Sequence, residues 1–474
     1  MITTDYLIDY SRLLDLVEAG IARARRHNRS ILVSQTERVA GIPPLAFFEA
    51  GRVLDHHAFY WEYPTRSFAL TAIGAAYLIE TAGADRFARV AAAWRELREH
   101  SVIGGLNTMA GSGPTLLGGF AFDPECEDRD PAWREFAASS VLLPRLQLTV
   151  TADIAALTFN VVVDPDTSAE AATADVFRLY EQVLQNLDMP PARSRQHARF
   201  AIKDVMPAAE WQAIVASTVA AIRAGLYEKV AIALAVELTS SEPIHIGEAL
   251  EYLRSTYTGA CTFVVQRGAA CFLGATPERL VGLHSGLVSA SALAGTAPRG
   301  ATEEEDLRHG QELLASGKNR HEHSVVVDMV REMLGAVCVD LHAPREPVLL
   351  KLPNVQHLYT PVSGRLRAGH TLLDLVGRLH PTPAVGGIAR DAALEHIRAS
   401  ERLDRGWYAG PIGWIDARGE GDWSVALRSG VVTGNHALLF AGCGIVDDSD
   451  PAAEYVETRL KLQPMLAALG TKPE

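Results

Sequence analysis

The sequence predicts a fold that mixes helices with strands, and three observations carry this. Apolar residues recur at helical spacing over 172–187, 211–224 and 317–334, whereas 229–238 and 423–429 alternate with the period of a strand. Hydrophobic residues are 48% of the chain and charged residues 21%, a balance that allows a large buried core. No apolar run reaches the length needed to span a bilayer, and the N-terminus lacks a basic start followed by an apolar segment. A cytoplasmic protein with no membrane partner is expected.

In chain order, 1–195 reads as an N-terminal scaffold: a helix over 10–26, a strand over 31–34, an alternating segment over 67–73 and a helix over 87–99. The glycine-rich TLLGGFAFDP (115–124) follows, then strands over 146–151 and 157–163. A helix over 172–187 gathers Val176, Leu179, Tyr180, Val183 and Leu187 on one face. Gly118 and Gly119 are followed by neither a lysine nor a helix start, so they point to a bulge or a close backbone contact rather than a phosphate loop. PPARSRQH (190–197) has the proline and charge of a connector, which separates the scaffold from a second region, 205–468, within one compact unit.

In the second region a helix over 211–224 carries Ile214, Val215, Val219 and Ile222, and the strand after it places Lys229 on one face with Ala231, Ala233 and Ala235. Burial over such methyl groups lowers a lysine pKa towards that of a base, although a lysine at a strand entrance also reaches readily to solvent. CFLGATPERL (271–280) reads as a strand turning at Gly274 and Pro277, with Glu278 at its edge. LAGTAPRG (293–300) reads as a glycine-centred bend whose Gly295 and Thr296 amides either bind an anion or simply close a turn. In the 317–334 helix Glu322 precedes Val326 by one turn and so lies on the apolar stripe, where a carboxylate must find a partner. A later helix puts Glu454, Glu457 and Lys461 on one face. Two helices that each present glutamate suit an oxygen-ligated Mg2+, while either alone is explained by an i,i+4 ion pair. In the strand over 423–429, Arg428 shares a face with Ser424 and Ala426, a recess fit for a carboxylate ligand or for a structural salt bridge.

Other chemistries fit less well. A net charge of -13 argues against a nucleic-acid partner. The five cysteines have no CxxC spacing and read as reduced core thiols. HEH (321–323) lacks the spacing of a zinc helix.

Taken in order, GATPER (274–279), LAGT (293–296), KNRHEH (318–323), VQHL (355–358), HPTPAVGG (380–387), RGWYAGPIGW (405–414), ALRSG (426–430), FAGCGIV (440–446) and ETRLKL (457–462) resemble the chorismate-utilising enzymes. The resemblance runs over roughly 211–466, and Phe47, Phe48 and 61–63 (WEY) are similar to the isochorismate branch. It implies an α+β fold of two stacked antiparallel sheets flanked by helices, chorismate as substrate, Mg2+ as cofactor and a monomer. Glu322 and Glu457 would be metal ligands with Glu454 close by. Gly295, Thr296, Tyr408, Arg428, the amides from Gly442 to Gly444, and Lys461 would hold the substrate. A lysine at the position of Lys229 marks members that use water, and Ala294 stands where aminodeoxychorismate synthases carry a nucleophilic lysine. The implied activity is that of an isochorismate synthase, with Lys229 as base and Glu278 as acid. A salicylate synthase and a non-catalytic chorismate-binding subunit are its rivals. Whether the product feeds menaquinone, a siderophore or salicylate is not written in these motifs.

Overall fold

The computed structural model describes residues 9–125, 129–187, 198–351 and 355–471, so the connector at 190–197 lies outside the described residues. The sheet grows outward from one long strand, Ser139–Val150, in which all residues but Arg145 and Val150 are buried. A strand covered on both faces has this continuous apolar character. Along one edge it pairs over its length with Phe68–Thr81. Along the other it divides, its first part pairing with Thr115–Phe120 and its last with Ala155–Val163.

That division sends the sheet into two limbs. One runs from Phe68–Thr81 through His57–Tyr63, Cys261–Arg267, Ala270–Thr276, Ser429–Thr433 and His436–Ile445 to Lys229–Ser240. The other runs from Thr115–Phe120 through Pro411–Asp416, Gly421–Val425, Arg279–His284 and Leu287–Pro298 to Val355–Leu366. Every pairing named here is antiparallel; among the described residues Ile31–Val39 with Val102–Gly105 is parallel. The limbs stack face to face, with Phe68 on Trp414 (5.4 Å between ring centroids) and the Tyr63 hydroxyl 3.0 Å from Ser424 Oγ. The two stacked layers are thus continuous through a shared strand. No helix among the described residues is long and apolar enough to cross a membrane.

The chain changes limb twice at one level, between Thr276 and Arg279 and between Val425 and Ser429. These crossings brace each other: Val425 N donates to Glu278 O (3.0 Å), Ala275 N to Arg428 O (3.2 Å) and Thr276 Oγ1 to Val425 O (2.5 Å). Three sequence expectations change here. The strand over 423–429 is interrupted at 426–428, where Arg428 takes a left-handed φ of 49° to make the crossing, so it does not share a strand face with Ala426 and Ser424. Ala270–Thr276 runs straight through Gly274 and turns only at Pro277. Gly295 is a bulge inside Leu287–Pro298, where the register slips between Ala294 and Thr296, and not a bend between elements. Gly118 lies in a strand as a close backbone contact, since a Cβ there would sit 2.1 Å from Ser140 O.

Two helices complete the site. Gly317–Gly335 begins at Ser316, whose hydroxyl accepts from Asn319 N, and packs on Leu287–Pro298 of the second limb. Pro451–Ala468 begins at Asp450, which accepts from Ala452 N and Ala453 N, and packs on His436–Ile445 of the first. The aromatic cluster of Trp133, Phe136, Phe272, Trp407 and Phe440 ties the N-terminal part of the chain to the same region.

Candidate active site

A cavity of about 450 Å³ opens at the level of the two crossings, the size of a small-molecule site. All twelve residues singled out from the sequence line it: Lys229 and Glu278; Gly295, Thr296, Tyr408 and Arg428; Gly442, Gly444 and Lys461; Glu322, Glu454 and Glu457.

Lys229 is the first residue of Lys229–Ser240 and is 5% exposed. Its Nζ lies 2.5 Å from Glu322 Oε1, so the inward-facing carboxylate of the helix finds its partner across the cavity wall. Gly444, opposite Ala231 in the next strand, makes room for that side chain: a Cβ there would sit 2.5 Å from Lys229 Cε. Glu278 is 8% exposed, and burial pushes its carboxyl up to about 7, against the opposing pull of a hydrogen bond from Thr382 Oγ1 (3.2 Å) and of the Lys229 charge. A buried amine and a carboxyl that is half-protonated near neutral pH therefore share one space.

The opposite charge pattern governs the last helix. Lys461 Nζ is 2.6 Å from Glu457 Oε1 and donates to Gly442 O at 3.1 Å. Burial would raise the Glu457 carboxyl, but Lys461, with Arg428 behind it, holds it below the ordinary value. Glu454, one turn away, is raised by burial and by the Glu457 charge, while Ser449 Oγ donates to it at 2.7 Å. Arg428 donates to Lys461 O (3.3 Å), and burial pushes the Tyr408 hydroxyl up, keeping it a donor. Tyr408 stacks on Phe440 (5.2 Å), which fixes its ring.

Sequence reasoning assigned no role to three further residues. His357 of VQHL lines the cavity with Nδ1 2.9 Å from Thr296 Oγ1, and burial together with Arg428 and Lys461 lowers it to about 4, so it stays neutral. Thr382 of HPTPAVGG orients Glu278. Arg405 opens RGWYAGPIGW and reaches the cavity edge. Each lies inside a block that stood out, and a buried polar residue within such a block was the available signal. The HEH histidines separate: His323 is buried against Thr360 Oγ1 (2.7 Å), and His321 is exposed. Four cysteines, Cys261, Cys271, Cys338 and Cys443, are free and buried; Cys126 lies outside the described residues.

Among the described residues no three His, Cys, Asp or Glu side chains gather as a ready-made cation cage. The donor set nonetheless suits a hard cation: Glu322 and Glu457 bring carboxylates into one cavity from two helices, and Glu454 lines it next to Glu457. Each of the first two is bonded to a lysine, which a cation would have to replace.

Residues 19–470 match the family model described as chorismate binding enzyme. Isochorismate synthase MenF of Bacillus subtilis is 36% identical over 466 residues, 95% of this chain and 96% of its own length. The salicylate biosynthesis isochorismate synthase of Pseudomonas aeruginosa is 39% identical over 460 residues, 96% and 93% of the two chains. Among solved structures, MenF, the menaquinone-specific isochorismate synthase from Escherichia coli, shares the fold with a TM-score of 0.78 at 23% identity, covering 96% of this chain and 99% of its own. Anthranilate synthase component I from Streptococcus pneumoniae does so with a TM-score of 0.69 at 21% identity, covering 84% and 92%.

Proposed function

Since the chain belongs to the chorismate-binding enzyme family, we propose that it is an isochorismate synthase, an isomerase that adds water at C2 of the chorismate ring with loss of the C4 hydroxyl. The observation that carries this reading is the buried pair of Lys229 and Glu278 in one cavity, the second poised near neutrality. An amine and an acid facing one enclosed space are what a paired addition and loss of water requires.

Lys229, entering the cycle as the neutral amine, accepts a proton from water as its oxygen bonds to C2. Both double bonds of the ring diene shift, C1=C2 to C1=C6 and C5=C6 to C4=C5, the C4–O bond breaks, and the Glu278 proton goes to the departing hydroxyl, which leaves as water. One water enters and one leaves, so substrate and product are isomers. Lys229 has gained a proton and Glu278 has lost one, and exchange with solvent restores both. Arg428, Tyr408 and Lys461 supply the donors for the two substrate carboxylates, with the Gly295 and Thr296 amides at the bulge and those of Gly442 to Gly444 around the enolpyruvyl group. Neutral His357 holds the Thr296 hydroxyl in place.

The carboxylates of Glu322 and Glu457, with Glu454 near, would hold Mg2+. Bound there, Mg2+ supplies positive charge against a substrate carboxylate. The test is one assay: purified protein, chorismate and Mg2+, products separated by chromatography, with and without chelator. Isochorismate that disappears with chelator is expected. Salicylate with pyruvate would replace this reading with a salicylate synthase, and binding without product would leave a non-catalytic chorismate-binding protein.

A further inference from the structure

The strand that carries Lys229 has an incomplete edge. On one side His436–Ile445 pairs along its whole length, but on the other Gly387–Ile388 serves only its beginning and Phe200–Asp204 only its end. Between them the backbone groups of Ala231 and Ala233 are buried and need partners. Ala231 N donates to Gly386 O (2.9 Å), and three side chains provide the rest. Arg405 Nη2 donates to Ala231 O (2.8 Å), Glu401 Oε1 accepts from Ala233 N (2.7 Å), and Trp211 Nε1 donates to Ala233 O (3.0 Å).

Glu401 and Arg405 are themselves a pair, 3% and 4% exposed. Arg405 Nε donates to Glu401 Oε2 at 2.8 Å, Nη2 donates to Oε1, and the guanidinium lies over the Phe122 ring at 4.2 Å. Arg405 Nη1 donates to Val385 O (2.8 Å), in the turn where Val385 N and Gly386 N both bond back to Thr382 O. That turn carries Thr382, whose hydroxyl holds Glu278. One guanidinium thus grips the strand two residues from Lys229 and the turn three residues from Thr382. Four of its five N–H donors are used within the protein, leaving no two-donor fork for a substrate carboxylate.

We propose that Glu401 and Arg405 are a positioning pair for this reaction: they set the placement of Lys229 relative to the Thr382–Glu278 contact, without touching substrate. The inference rests on the proposed function. A misplacement of about 1 Å between reacting groups costs on the order of 100-fold in rate, so a pair that ties both groups to one point affects turnover rather than binding.

The test uses Arg405→Lys, Glu401→Gln and the double variant Glu401→Gln/Arg405→Gln, which leaves no uncompensated buried charge. Steady-state kinetics with chorismate should show kcat reduced by about 10- to 100-fold with KM changed by less than about 3-fold. In a Thr382→Val background the same substitutions should cost several-fold less, because the contact they act through is already gone. Unchanged kcat, a rise in KM alone, or full additivity with Thr382→Val would overturn the proposal, as would failure of all three variants to fold, which would make the pair a folding element only. If the unsubstituted protein forms no isochorismate, the proposed function has failed instead, and that control is read first.

Discussion

Lys229 with Glu322 and Lys461 with Glu457 are two lysine–carboxylate pairs on one cavity, at 2.5 and 2.6 Å, and they are built in opposite ways. The first joins a strand end to a helix 93 residues away, with side chains 7% and 23% exposed. The second spans one helical turn, with side chains 19% and 44% exposed. A local pair forms wherever its helix forms and contributes about 0.2–0.5 kcal/mol. The distant pair exists only once the helix has closed over the strand. Lys461 is further tied to Gly442 O, whereas Glu322 is the one hydrogen-bond partner of the Lys229 ammonium among the described residues. A twice-anchored charge suits binding, and a singly held, dry amine suits a reaction in which the partner must change.

The sharpest way to break this comparison is to neutralise each lysine. Lys229→Gln should keep the fold and lower kcat by about 1,000-fold or more, as expected for loss of a general base. Lys461→Gln should chiefly raise KM, by about 10-fold, through loss of a charged carboxylate contact. Equal effects on kcat from the two variants, measured by product formation, would show that the difference in construction has no functional meaning.

Glu278 extends the contrast to acid and base. Glu278→Gln should reduce kcat by about 100-fold or more, and wild-type turnover should fall as pH rises above about 7, where the carboxyl loses its proton. The same shift sets a stability slope. With its folded pKa raised from 4.5 to about 7, Glu278 holds its proton more tightly in the folded state. Stability from this group is therefore fully present below pH 4.5 and is lost as pH rises towards 7, by on the order of 3 kcal/mol. Glu278→Gln should remove that slope. Thermal melting from pH 5 to 8 checks it, and identical slopes for the two proteins would mean the carboxyl is not buried as described.

Removing carboxylates should produce a smaller, graded effect. Glu322→Ala and Glu457→Ala should each weaken Mg2+ binding by at least about 10-fold, while Glu454→Ala should weaken it less. Calorimetric titration of Mg2+ reads this directly. Unchanged affinity in both of the first two would remove the cation from between the helices.

These effects map onto what could be read from the sequence. Helices and strands with unbroken period were legible, and the local Glu457–Lys461 pair follows from helical spacing alone. The Lys229–Glu322 contact does not, because no periodicity reports which helix covers which strand. Arg428 shows the same limit: the alternation from Trp423 predicts a continuous strand, but the chain leaves one limb for the other there, and a crossing is a tertiary event. Gly295 reads as a bend from sequence, and only pairing with the neighbour strand Val355–Leu366 fixes the register that makes it a bulge. Glu401 and Arg405 are four residues apart, an ordinary helical pair by spacing, and only the unfinished edge of Lys229–Ser240 gives them work.

The smallest expected effect tests whether Lys229 is placed by its surroundings rather than by its bond to Glu322. In Gly444→Ala the added methyl would lie 2.5 Å from Lys229 Cε and 3.1 Å from its Nζ, while its next neighbour, Cδ, is at 3.8 Å. All three atoms belong to one flexible side chain, so the lysine yields and the strand does not. Turnover should fall by about 10-fold with little change in melting temperature, since the amine moves by a fraction of the distance that costs 100-fold. Gly434→Ala provides the converse. Its φ is 62° in the turn before His436–Ile445 and nothing lies within 4 Å, so the substitution strains backbone and touches no side chain. It should lower the melting temperature and leave kcat unchanged. If Gly444→Ala instead behaved like Gly434→Ala, the ε-amine would be held by Glu322 alone, and the close fit of the two strands around Lys229 would have no part in placing the base.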